Sequence, residues 1–412
     1  MGENQSQRKD YGIDWSWHDS MGISRVVNVC GTMTSLGGSI ASQRVAKATA
    51  DAMPRFARMH ELQAKASGLI SQLTGAEAGF LTASASAGIS LAVAGCMTGL
   101  DPARAEDLPC NPGPKSGVAV QMGHLCEYGA PVSQAIELVG GHVRIVGQST
   151  LAKDYQLEAA LDEGAAAALY VISHHVVDYG MIPLKRFCGI AHAKGVPVIV
   201  DAASEYELEG FIAAGADIAI YSGHKFMGGP TSGIVAGRKD LVRAAYLQNI
   251  GIGRGMKIGK ESIAGAIEAM AQWLERDHDA VRAAETAALE MWKKVLDGLP
   301  GFDARRIADP TGNPLERLEV HVNPAIAGAN AAQYAVAFGR YDPPIVVRGH
   351  ETEKGYFQLD PCNLMSGQAE LVRDALQQVL TSSAVAGIDQ EAVLADTRNG
   401  GTESYMRWLE DV

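Results

Sequence analysis

Residues 196–237, VPVIVDAASEYELEGFIAAGADIAIYSGHKFMGGPTSGIVAG, decide the fold. The stretch opens on VPVIV (196–200), a short uncharged β-branched run of the kind that forms a strand buried on both faces of a parallel sheet. The run stops at Asp201, which places a carboxylate at the carboxyl edge of the sheet, where open α/β folds bind ligands. A second apolar run, ADIAIY (216–221), leads into SGHKFMGGPTSG, so that Lys225 follows the next strand directly. A lysine after a strand is ordinarily a solvated surface charge. This one is set among Ser, His and Gly, in a loop suited to close contact. An amine beside a cationic or apolar neighbour loses its proton more easily and becomes a nucleophile able to form a Schiff base.

Outward from this stretch, short apolar runs alternate with helical patterns, as in parallel βαβ units. Strands are predicted at 78–82, 117–121, 142–146, 167–172, 196–200, 216–221 and 232–236, with helices at 86–97, 131–139, 155–162 and 184–194 between them. Residues 42–73 are helical with a break at Pro54, and 260–296 form one long connecting helix or a pair. After Gly298 and Pro300 the texture changes to short strands at 317–322, 344–349 and 356–360, with helices at 328–338 and 367–381. The predicted organisation is an arm (1–30), a large domain (31–296) and a small α+β domain (297–412). The tail from 386 is uninformative.

One segment imitates a membrane span. Gly79 to Leu100 holds 22 residues without a charge, but four are glycine and five are Ser or Thr. A buried strand, turn and helix explains it better. The turn, Thr82 to Gly88, offers small hydroxyls and backbone N–H groups at a helix start, which suits a phosphate. A phosphate seat, an aldehyde-trapping lysine and a carboxylate able to keep a pyridine nitrogen protonated together specify pyridoxal phosphate.

The chain resembles fold type I pyridoxal-phosphate enzymes of the aspartate aminotransferase superfamily. More narrowly, it resembles the branch with bacterial L-seryl-tRNA(Sec) selenium transferase and D-glucosaminate-6-phosphate ammonia lyase. The resemblance runs from about residue 25 to 385. It rests on VVNVCGTMTSLGG (26–38), the Asp201 and Ser222-Gly223-His224-Lys225 pair, RGMKIGKESIAG (254–265), and PPIVVRG with YFQLDP (343–349 and 356–361). It implies an α/β fold: a three-layer α/β/α large domain with a smaller C-terminal α+β domain. It further implies a homodimer or larger homo-oligomer.

By the same resemblance, Lys225 is the Schiff-base lysine and Asp201 pairs with the ring nitrogen. Ser84, Ala85 and Ser86 hold the phosphate, with Ser222 or His224 assisting; Ser222 is equally readable as an ordinary turn hydroxyl. His124 is expected to stack on the ring or to be structural, with Tyr128 as its alternative. One of His174 and His175 is expected to serve as an acid. Arg348 is assigned to the substrate carboxylate, against an interdomain ion pair. Arg254 and Lys257 are assigned to an anionic substrate group or a phosphate across a dimer interface, against a solvated basic turn. No metal is expected.

The reaction implied is α,β-elimination from a hydroxylated amino acid or amino-sugar acid, with ammonia release. Racemisation or aldol cleavage is the alternative. Selenium transfer to seryl-tRNA ranks lower, because the arm is short and 35 Lys and Arg face 47 Asp and Glu, a net charge of −12 that offers no general grip on RNA. A non-catalytic pyridoxal-fold subunit ranks last, since Lys225 and Asp201 are both present. The 46 glycines point to many tight turns around a ligand. Six dispersed cysteines without a Cys-x-x-Cys pair, and a polar start without a signal peptide, predict a cytoplasmic protein acting on a small molecule, with no membrane association.

Overall fold

The computed structural model describes residues 9–162 and 164–410; the first eight residues of the predicted arm lie outside them. In chain order the strands are β1 (Val27–Val29), β2 (Ala78–Thr82), β3 (Gly117–Gln121), β4 (His142–Val146), β5 (Ala165–Val171), β6 (Val198–Asp201), β7 (Ile218–Ser222) and β8 (Gly233–Gly237). Then follow β9 (Phe302–Ala308), β10 (Glu316–Val322), β11 (Ile345–Val347) and β12 (Tyr356–Leu359). The backbone contacts divide the chain into two units, Gly37–Arg276 and a second made of residues up to Leu36 with those from Asp277 onward.

The larger unit holds a seven-stranded sheet in the order β2-β8-β7-β6-β5-β3-β4. Its pairings are parallel except those of β8, which runs antiparallel to both β7 and β2. Alternation along each strand sends apolar side chains to both faces. One face (Ala168, Val198, Val200, Ala219) packs on Ile70, Leu157, Phe187 and Ile263, from four helices. The other (Val120, Leu169, Ile199, Ile220) packs on the helix Ala85–Thr98, through Ile89, Leu91 and Val93, and on its neighbours. This is the three-layer α/β/α arrangement. The uncharged segment is thus β2, a turn and a buried helix, and among the described residues no helix is long and apolar enough to cross a membrane.

In the second unit β10 is the middle of an antiparallel sheet, β12-β10-β9, while β1 pairs in parallel with β11. Leu318, Val320, Phe357 and Leu359 enter the core, and the alternating positions Arg317, Glu319, His321, Tyr356, Gln358 and Asp360 form a polar face. The division differs from the predicted boundaries at 30 and 296. The pairing of β1 with β11 ties the arm's end to this unit, and Leu289, Trp292 and Leu296 of the helix His278–Leu296 lie in its core.

Candidate active site

Five loops of the larger unit leave the sheet at the carboxyl ends of β2, β3, β5, β6 and β7, and together they carry Ser84, His124, His174, Asp201 and Lys225. Beyond β2, Ser84 caps the helix Ala85–Thr98, its Oγ accepting the N–H of Ala87 at 3.0 Å. No hydrogen bond to a described residue engages the N–H of Ala85 or Ser86, so two donors at the positive end of the helix remain open to an anion. Gly233 of β8 passes so near this turn that a Cβ there would lie 2.1 Å from the Ser84 carbonyl oxygen. The Tyr128 hydroxyl donates to Ser86 Oγ at 3.1 Å. Thr82 donates to the carbonyl of Met256 at 3.3 Å, which brings the 254–260 segment to the same turn. Arg254 and Lys257 in that segment are both exposed.

Asp201, at the end of β6, is buried, and its Oδ1 accepts the N–H of Ala203 at 3.2 Å. Burial raises its pKa to about 6, opposed by the charge of Lys225 and by that hydrogen bond. The half-buried Lys225 amine donates to Ser204 Oγ. Burial holds its pKa below the ordinary lysine value, against the carboxylates of Asp201 and Glu205. In both groups burial outweighs the mutual attraction, so both ionised forms are disfavoured.

Ser222 Oγ and His224 Nδ1 lie 3.0 Å apart. Burial, helped by the charge of Lys225, holds His224 below its ordinary pKa. The loop before the first helix of this unit locks the lysine loop in place. Ser39 Oγ donates to the His224 carbonyl at 2.7 Å, and Gly38, at φ 87°, approaches so closely that a Cβ would meet His224 Cδ2 at 2.3 Å.

His124 is taken into the core. It is 2% exposed, its Nδ1 accepts the N–H of Val171 at 3.2 Å, and its ring stands edge-on to Tyr170 at 4.4 Å. Burial pulls its pKa down to about 4, so it stays neutral, with its proton on Nε2. His174 and His175 sit on the turn after β5 with ring centroids 3.8 Å apart, His174 half-buried and His175 exposed.

Arg348 belongs to the other unit. It is 7% exposed, and no hydrogen bond or ion pair joins its guanidinium to a described residue. An ion pair is therefore not what holds it within its own unit.

Sequence patterns single out neither Ser204 nor Glu205, though both follow Asp201 within four residues. Glu205 is 7% exposed, an unusual depth for a carboxylate. The apolar strand before them was the available signal, but only the turn geometry reveals that Ser204 reaches Lys225. All six cysteines are free; Cys30 and Cys188 are buried and Cys110 is exposed.

Open N–H donors at a helix start, a buried carboxylate and an amine whose pKa burial lowers fit the phosphate, ring nitrogen and aldehyde that pyridoxal phosphate presents. Comparison with known proteins agrees. D-glucosaminate-6-phosphate ammonia lyase of Salmonella typhimurium is 38% identical, covering 89% of this chain and 98% of that protein. A solved D-glucosaminate-6-phosphate ammonia-lyase superposes with a TM-score of 0.81 over 89% of this chain and 99% of the other, at 37% identity. A 5'-C-glycyluridine monooxygenase-decarboxylase from Streptomyces is 36% identical, covering 88% of this chain and 92% of that protein. Aspartate aminotransferase from Thermus thermophilus, 14% identical with a TM-score of 0.53 over 88% of this chain and 93% of its own, shares the fold alone. The family model described as L-seryl-tRNA selenium transferase matches residues 26–331, and the chain belongs to this family of fold type I pyridoxal-phosphate enzymes.

Proposed function

We propose that the chain is a lyase that eliminates water from the α and β carbons of a hydroxylated amino acid or amino-sugar acid and releases ammonia. The observation that carries this is the Lys225 amine, held by Ser204 and with its pKa lowered by burial, which favours its use as the base for a Cα proton. The likeness to an ammonia lyase over nearly the whole of both chains supports the choice of elimination.

Bound here, pyridoxal phosphate supplies an electron sink that acidifies the substrate Cα–H. Ser84, Ala85 and Ser86 seat its phosphate, with Ser222 or His224 on the other side, and Asp201 keeps the ring nitrogen protonated. Tyr128, tied to Ser86, covers the ring in place of the core-bound His124. Lys225 takes the Cα proton, and His174, the more buried of its pair, gives a proton to the departing β-hydroxyl as water. The enamine released then loses ammonia in water and leaves a 2-oxo acid. Arg348 holds the substrate carboxylate, since a buried guanidinium that no described residue hydrogen-bonds suits a planar anion. Arg254 and Lys257 serve a second anionic group, or a phosphate across the interface of a homodimer. The setting is cytoplasmic, supported by the free cysteines, and the net charge of −12 favours a small molecule over tRNA.

The test is to incubate the holoenzyme with D- and L-β-hydroxy amino acids and amino-sugar acids. The expected products are ammonia and a 2-oxo acid in equal amounts. Lys225→Ala should lose the Schiff-base absorbance and at least ~10⁴-fold of the activity. Inversion without ammonia, release of an aldehyde, or oxygen uptake with loss of CO₂ would each overturn elimination, the last in favour of the Streptomyces relative's chemistry.

A further inference from the structure

The turns that follow β6 and β7 leave neighbouring parallel strands at the same edge of the sheet. β6 ends at Asp201 and β7 at Ser222. Ser204 stands three residues beyond the first end and Lys225 three beyond the second, so the strand pairing brings their loops side by side. Across that gap the Lys225 amine donates to Ser204 Oγ.

Both loops are stitched down. The N–H of Ala202 donates to the Ile220 carbonyl at 2.9 Å, that of Ser222 to the Ala203 carbonyl at 3.2 Å, and that of Glu205 to the Ala202 carbonyl at 3.1 Å. On the lysine side, the N–H of Gly228 donates to the Lys225 carbonyl at 3.0 Å, and that of Gly223 to the Ser232 carbonyl at 2.9 Å. A hydroxyl anchored in this way sets where the tip of a flexible four-carbon side chain comes to rest.

The amine avoids two stronger attractions. Asp201 and Glu205, 6% and 7% exposed, bracket Ser204 in the chain. Burial lowers the pKa of the amine, and the charges of both carboxylates oppose it. Among the described residues, however, the amine's one hydrogen bond is to the hydroxyl between them. The difference matters because an amine has a single lone pair. A carboxylate in contact favours the ammonium, which has none. A hydroxyl is a neutral acceptor, so it satisfies one N–H and leaves the lone pair open. Lys225 needs that lone pair twice, to attack the aldehyde and to take the Cα proton.

We infer that Ser204 is a positioning residue that holds the Lys225 amine off the carboxylates of Asp201 and Glu205 and keeps its lone pair open for both steps. Asp201 is thereby left to the ring nitrogen. This rests on the role given to Lys225 above and adds what keeps its amine usable.

The test reads cofactor capture and not turnover. Pyridoxal phosphate is mixed with the full-length, cofactor-free protein, and the growth of Schiff-base absorbance is timed across the pH range. Ser204→Ala should slow capture about tenfold near pH 7, because the amine falls to the carboxylates and its pKa rises by about one unit. Its rate should rejoin that of the wild type above about pH 10, where the amine is free in both. Ser204→Asp keeps an acceptor but adds a charge, and should slow capture about a hundredfold near pH 7 with the same convergence. Ser204→Thr keeps the hydroxyl and should retain the wild-type profile.

An unchanged pH profile in Ser204→Ala and Ser204→Asp would overturn the inference. So would slowing by one factor at every pH, which would make Ser204 an ordinary contact or turn residue, and so would a threonine protein that shifts as the alanine protein does. If Ser204→Ala fails to fold, the threonine and aspartate proteins decide the matter. A Schiff-base band that persists in Lys225→Ala would instead sink the assignment of Lys225, on which the inference depends. Elimination is not read here, so a different reaction on the same lysine would sink the proposed function and leave the role of Ser204 standing.

Discussion

Asp201 and Asp217 are buried to the same depth, 6% and 5% exposed, at opposite edges of one sheet. Asp217, just before β7, accepts the N–H of Val198 at 2.8 Å, meets His192 Nε2 at 2.8 Å and binds Arg238 at 3.0 Å. Asp201, at the end of β6, has one backbone hydrogen bond and a lysine charge nearby, and burial wins. The second unit repeats the contrast with cations, Arg317 clasped by two carboxylates and Arg348 by none. Burial is common to all four residues; satisfaction divides them. A buried charge whose partners are built in is scaffold, and we read one that no described residue bonds fully as a place for a ligand.

The contrast can be broken by removing each charge in turn from the cofactor-free protein and following urea unfolding. Arg317→Met strands two buried carboxylates and should cost about 3–5 kcal/mol, the largest effect. Asp201→Asn should act in the opposite direction, adding up to roughly 3 kcal/mol near pH 8, since about two pKa units are relieved.

The sign and window of that gain follow from the raised pKa. The folded state holds its proton more tightly than the unfolded one, so wild-type stability falls as pH rises from about 4 to about 6. The gain from Asp201→Asn should therefore be absent at pH 4 and complete above pH 6. The same variant should lose at least ~100-fold in activity, the scale of removing one electrostatic stabiliser from a site.

Asp217→Asn should cost about 2 kcal/mol, moderated by the exposure of Arg238. Arg348→Met should change stability least, by under about 1 kcal/mol or in the stabilising direction. If Asp201→Asn destabilised the cofactor-free protein as Asp217→Asn does, the distinction between scaffold and site would fail.

Much of this architecture was legible because its strands are short, uncharged and bounded by polar turns. The runs at 78–82, 117–121 and 142–146 are strands over those very residues. Two strands carry no readable sequence signal, for opposite reasons. Val27–Val29 has only three residues, and Phe302–Ala308 carries Asp303, Arg305 and Arg306 in a run of seven, which hides its alternation.

At the site, Asp201 and Lys225 were legible because a strand's end fixes where the next side chain emerges. Turns have no such period, so the contact of Ser204 with Lys225 and that of Tyr128 with Ser86 could not be read. Nor could the isolation of Arg348, which depends on Asp360 being already committed to Arg317 forty-three residues earlier in the chain.

The same spacing along the chain bears on how the protein is made. Lys225 and Ser84 lie on opposite sides of the junction formed when β2 joins β8, and that pairing joins Ala78 to Gly237. Contacts so distant in sequence form late and slowly, because a long loop must close before they reward it. Until β2 docks, the Ser84 turn has no fixed relation to the lysine loop. Capture of pyridoxal phosphate during refolding would therefore mark the last closure of the sheet, making the cofactor's colour a clock for the end of folding.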